Sequence, residues 1–97
     1  MTVNAMMSIQ ILPRTRNNED IIPYVDRAIE IIAESGVKYQ VNPMETTMEG
    51  DLDQLLQIIK KMNEAMIVKG SPSVMSQIKI AYNPAGVSMD KLTEKYR

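Results

Sequence analysis

Thr46, Thr47 and Glu49 form the densest cluster of small polar side chains in the chain. A carboxylate beside hydroxyls can hold a cation through charge-assisted hydrogen bonds and can orient a ring that carries donors and acceptors. Ser8 and Gln10, in the first apolar stretch, and Lys79, in the last, are of a type to join such a site. Each has a simpler reading. Glu49 suits a solvated acid near a helix start, where the helix dipole favours negative charge. The threonines suit a strand, and Lys79 suits an open sheet face that must not associate. Catalysis has less support. No nucleophile is paired with a base, no glycine-rich phosphate loop is present, and Glu49 as a base would lack a partner acid. The chain has no histidine and no cysteine, so zinc sites of the common kinds, thiolate chemistry and disulfides are not expected. No metal or cofactor is called for.

These residues need elements to position them. Lys38 to Asn42 alternates with period two, Asn42-Pro43 breaks the run, and Thr46 to Glu49 offers a second short strand ending at Gly50. Upstream, Val3 to Leu12 reads as a strand with Ala5, Met7, Ile9 and Ile11 in one row and Met6, Ser8, Gln10 and Leu12 in the other. A row holding Ser8 and Gln10 is not an ordinary core row. Asp20 is the expected cap of a first helix with Pro23 in its first turn, an apolar stripe of Ile21, Val25, Ala28, Ile29 and Ile32, and Gly36 at its end. Asp51 is the expected cap of a second helix, with Gln54 at the capping-box position and a stripe of Leu52, Leu55, Leu56, Ile59, Met62 and Met66. Gly70 and Ser71-Pro72 close it. Val74 to Tyr82 is the last strand. Ser88 caps a short charged tail helix, Met89 to Tyr96, expected to lie at the periphery.

With 97 residues, the chain is expected to form one domain, residues 1–97, with one small core that self-association would help to stabilise. A net charge of -1 offers no basic field for nucleic acid. Residues 1 to 12 lack a basic leader and are too short and polar to span a membrane, so a cytoplasmic location is the expectation and no membrane partner is implied. The nine methionines read as core filler.

The order β-α-β-β-α-β, with right-handed crossovers and one hairpin, predicts an α+β, ferredoxin-like sandwich: a four-stranded antiparallel sheet with both helices on one face. Ala5, Met7, Ile9, Ile11, Tyr39, Val41, Ile78 and Ile80 would face the helices. Ser8, Gln10, Gln40, Gln77 and Lys79 would face away. The hairpin register is open: either Thr47 and Glu49 or Thr46 joins the second group, and a bulge could bring all of them near it.

The run PMETTMEG-D, after ESGVKYQ and before an IIKKMNEA helix and an SQIKI strand, resembles the YkoF-like small thiamine-binding proteins. The resemblance covers about Val3 to Ile80, and Met44, Thr46, Thr47, Glu49 and Gly50 carry it most. It implies a ferredoxin-like fold, homo-oligomers (dimer or tetramer) built by sheet contacts, and binding of thiamine or its hydroxymethylpyrimidine moiety without catalysis. Thiamine carries a cationic thiazolium and an aminopyrimidine, so Glu49 is the expected anionic anchor. Ser8, Gln10, Thr46 and Thr47 are the expected neutral partners, and Lys79 the residue that tunes Glu49. The alternative is an assembly or regulatory module with no small ligand.

Overall fold

The computed structural model describes residues 3–97. The elements run β1 (Ala5–Pro13), α1 (Ile22–Ser35), β2 (Lys38–Val41), β3 (Thr46–Gly50), α2 (Leu52–Lys69), β4 (Val74–Tyr82) and α3 (Met89–Thr93), which passes into a 3₁₀ turn over Glu94–Tyr96. The strands form one antiparallel sheet in the order β2-β3-β1-β4. β1 and β3 are therefore central, and α1 and α2 pack on the same face and against each other. This is the ferredoxin-like arrangement that the element order predicts.

Period-two alternation in β1 divides its residues between two environments. Ala5, Met7, Ile9 and Ile11 are buried under the helices, as are Thr46 and Met48 of β3. On the helix side, Tyr24, Ala28, Ile31 and Ile32 of α1 and Leu55, Ile58, Ile59, Met62 and Met66 of α2 complete the core. Ser76, a polar residue in the helix-facing row of β4, donates a hydrogen bond to Asn63 Oδ1 at 2.5 Å, and Asn63 Nδ2 donates to Ile59 O at 3.1 Å. Both polar groups are thereby satisfied inside the layer contact.

The buried stripes differ in phase from the expected ones. In α1, Tyr24 and Ile31 are buried, while Val25 and Ile29 are half-buried and Ile21 is exposed. The helix is rotated toward α2, because it packs against α2 as well as against β1. In α2, Ile58 is buried and Leu56 is exposed for the same reason. A stripe that must serve two neighbours is broader than a single-face pattern.

The helix ends follow local chemistry. Asp20 Oδ1 accepts the N–H of Ile22 at 3.0 Å, so Asp20 serves the helix start from one position earlier than a standard cap and Ile21 is the boundary residue. Gly36 closes α1 at φ 82°, a left-handed conformation that favours glycine. Asp51 caps α2 through the N–H of Asp53, at 3.1 Å. Gln54 does not fold back as a capping box; its amide points to Ser35 O at 3.5 Å. Asn4 supplies the second support: its Oδ1 accepts the N–H of Leu52 at 2.9 Å and its Nδ2 donates to Asp51 at 3.3 Å.

Candidate functional site

The hairpin fixes which polar side chains meet. The N–H of Asn42 donates to Glu45 O at 3.0 Å and closes the connection tightly. β3 then pairs with β1 without a bulge: Thr46 with Ile9, Thr47 with Ser8, Met48 with Met7, Glu49 with Met6. Thr47 and Glu49 therefore share the face of Ser8, away from α1 and α2. Thr46 lies on the opposite face, buried beside Ile9 and Val41 and away from Ser8, Thr47, Glu49 and Lys79; it lines a separate hollow of about 250 Å³ that Gln10 and Glu45 also reach. Lys79 of β4 sits across Ser8 from Thr47, and Gln40 of β2 pairs with Thr47. Gln10 shares the face but stands opposite Gln77, one step along the row from Ser8.

Around Ser8 lies a cleft of about 280 Å³, lined by Met6, Ser8, Glu45, Thr47, Lys79 and the Ile80–Ala81 stretch. Ser8 Oγ is buried at its floor and has no hydrogen-bond partner among the described residues. Leaving a hydroxyl buried and unpaired costs about 1–3 kcal/mol. Lys79 Nζ stands 3.5 Å from Glu45 Oε1, an ion pair at the rim. The expected partner of Lys79 was Glu49; register places Glu49 beside Met6 instead, and Lys79 reaches Glu45. Glu45 was not among the sequence candidates. It belongs to the hairpin connection, where alternation assigns no face. Its adjacency to Thr46 was the only signal available.

Glu49 has a different engagement. Its Oε1 accepts the N–H of Met89 at 2.9 Å, so it holds the start of α3. Lys38, opposite Glu49 in β2, pairs with Asp90. The Lys38 ammonium is held above its ordinary value of 10.5, chiefly by the hydrogen bond it donates to Asp90, with the charges of Asp90 and Glu49 adding to it and loss of hydration opposing it. Met89 is buried. The tail expected at the periphery thus crosses the sheet face opposite α1 and α2 and covers its β2–β3 side, so that face is not bare. A second hollow of about 180 Å³ lies beneath it, between Gln40, Asn42 and Thr47 of the hairpin and Leu92, Thr93 and Arg97 of the tail.

The chemistry available in the cleft is recognition: a carboxylate, an ammonium, two hydroxyls and a methionine wall. Among the described residues no group of three or more His, Cys, Asp or Glu side chains is placed to hold a metal ion. A larger hollow, about 680 Å³, runs between α1 and α2 past Arg27, Glu34, Lys61 and Glu64. Arg27 there is within 3.9 Å of Glu30 and 3.6 Å of Glu34. These exposed charges answer one another, and among the described residues no unpartnered buried polar side-chain atom lies in that groove, so size alone does not make it the site. No helix among the described residues is long and apolar enough to cross a membrane.

The chain is 47% identical over 91 residues to a UPF0045 protein of Clostridium perfringens (strain 13 / Type A), covering 94% of this chain and 95% of that one. A domain of unknown function, DUF77, from Bacillus cereus superposes with a TM-score of 0.92 at 40% identity, over 99% of this chain and 92% of that one. A candidate thiamine biosynthesis/salvage protein of Thermotoga maritima superposes with a TM-score of 0.86 at 28% identity, over 97% of this chain and 99% of that one. The family model for thiamine-binding proteins matches residues 7–97, a span that takes in Ser8, the hairpin, Lys79 and the tail, and the chain belongs to the thiamine-binding protein family.

Proposed function

We propose that the protein binds thiamine or its hydroxymethylpyrimidine moiety, without transforming it, in the cleft around Ser8. The observation that carries this reading is the buried, unpartnered Ser8 Oγ at the floor of a cleft whose rim holds both a carboxylate and an ammonium. An aminopyrimidine ring offers an amino donor and ring-nitrogen acceptors. Ser8 and Thr47 would hydrogen-bond to it, Glu45 would accept from the amino group, and Met6 would pack on the ring. The cationic thiazolium would lie toward Glu45, the carboxylate that lines the cleft. Lys79 would release Glu45 on binding, and Gln10 would border the site from the next step of the row. Thr46 takes no part.

The family match and the thiamine-related neighbour support the ligand class. The facing Glu45 and Lys79 form an ion pair at the rim, which supports recognition of a polar, charged ligand. Part of the same reading is a cytoplasmic location and self-association into a dimer or tetramer along the free edge of β4. Support for the latter is that this edge strand leaves Ile80 and Tyr82 exposed in its helix-facing row and Met75 exposed in the other. Isothermal calorimetry with thiamine tests the function. Saturable one-site binding that weakens about tenfold in Glu45→Gln is expected, because the substitution removes a charge-assisted bond. Absence of binding would put the assembly-module reading in its place.

A further inference from the structure

The tail that crosses the open face is fixed at few points. Its start is held by the Glu49 carboxylate on the N–H of Met89 and by the Lys38–Asp90 pair. Met89 is its buried anchor, whereas Leu92 is 65% and Tyr96 75% exposed. One buried side chain and an exposed ion pair make a shallow attachment. Its place is informative all the same. Met6 and Thr47 line both the cleft at Ser8 and the hollow under the tail, so the two spaces meet at these residues. On the far side of the meeting point stand Thr93 and Arg97 of the tail.

We propose that the segment from Met89 to Arg97 is a movable wall of the ligand site, and that Glu49 is the residue that positions it. This rests on the function proposed above and adds to it a role for the tail. A ligand seated at Ser8 that extends past Thr47 reaches Thr93 and gains contact only while the wall is down. Ligand and wall therefore stabilise each other: each binds better to the arrangement that the other favours. Glu49 acts through the backbone of Met89 rather than on the ligand. Its task needs a hydrogen-bond acceptor, and a glutamine oxygen can supply one where an alanine cannot.

Limited trypsin digestion, read by mass spectrometry, tests the seating of the wall without ligand. Lys91 and Lys95 lie in the tail, and cleavage there requires it to lift from the sheet. Cleavage after Lys91 should be about tenfold faster in Glu49→Ala than in the unaltered chain and close to unaltered in Glu49→Gln, in line with loss or retention of one hydrogen bond. Equal rates in all of them would overturn the assignment of Glu49. Thiamine should then slow this cleavage in the unaltered chain. Calorimetry should show weaker thiamine binding in Glu49→Ala and in a chain ending at Ser88, each checked for folding by circular dichroism, with Glu49→Gln restored. Thiamine binding of full strength in the shortened chain would overturn the wall while leaving the function intact. Failure of the unaltered chain to bind thiamine would overturn the function, and with it the wall. A Glu49→Gln variant that binds as poorly as Glu49→Ala would assign Glu49 to the ligand's charge instead.

Discussion

In the proposed site, Ser8 is the residue on which recognition and stability conflict. Its hydroxyl is buried without a partner among the described residues, which costs about 1–3 kcal/mol and which the proposed ligand would repay by supplying the missing bond. Ser8→Ala removes the cost and the bond together. The melting temperature should rise by roughly 4–8 °C per kcal/mol recovered, while thiamine affinity falls about tenfold. A thermal scan and a titration on the same sample check both, and a lower melting temperature with unchanged affinity would contradict the role given to Ser8. The neighbouring threonines separate by face. Thr47→Val should weaken thiamine binding, and Thr46→Val, on the helix side, should leave it unchanged; calorimetry of the pair decides. Alternation in β1 made Ser8 legible in the sequence, because a polar residue between Met7 and Ile9 has to face away from the core. The choice between Thr46 and Thr47 was not legible. A slip of one residue exchanges the faces, and the register is set by the Asn42–Glu45 closure, which side-chain pattern does not reveal. Glu45 was hidden for the same reason.

Elements were legible where one neighbour dictates the pattern. The strands, the crossover order, the Asp51 cap and the Gly36 end follow from spacing and local backbone chemistry, and the structure has them. The phase of α1 and α2 was less legible, because each packs on the sheet and on the other helix, and Tyr24, Ile31 and Ile58 join the core through the second contact. Leu55 of α2 is fully buried in the core, close to Gly50 at the end of β3. Leu55→Ala should cost about 2–5 kcal/mol, measured by urea unfolding; a loss below about 1 kcal/mol would contradict a close-packed interior there. The tail was misplaced at the periphery because its charged sequence gives no clue to Glu49 and Lys38, its partners on the sheet. The Lys38–Asp90 pair has a pH signature. Since the folded-state value of Lys38 is raised, its contribution is complete below the ordinary 10.5 and fades as the pH climbs through the higher folded value. An NMR titration of the Lys38 side chain should therefore give a midpoint above 10.5; a midpoint at or below it would contradict the pair.

At the scale of the molecule, one sheet divides two functions. The helix-facing side holds the core, and the other side presents the cleft and its tail. The free edge of β4 and its exposed Met75, Ile80 and Tyr82 leave apolar surface suited to a second copy of the chain. Light scattering at micromolar concentration should give the mass of a dimer or tetramer, and the mass of a single chain would contradict self-association. What occupies the cleft at Ser8 decides the proposed function, and a crystal structure of the protein grown with thiamine tests this most directly. The predicted result is an aminopyrimidine ring on the sheet face opposite α1 and α2, hydrogen-bonded to Ser8 Oγ and Thr47, with the Glu45–Lys79 pair opened. Thiamine in the groove between the two helices, or an empty cleft in crystals saturated with it, would contradict the account.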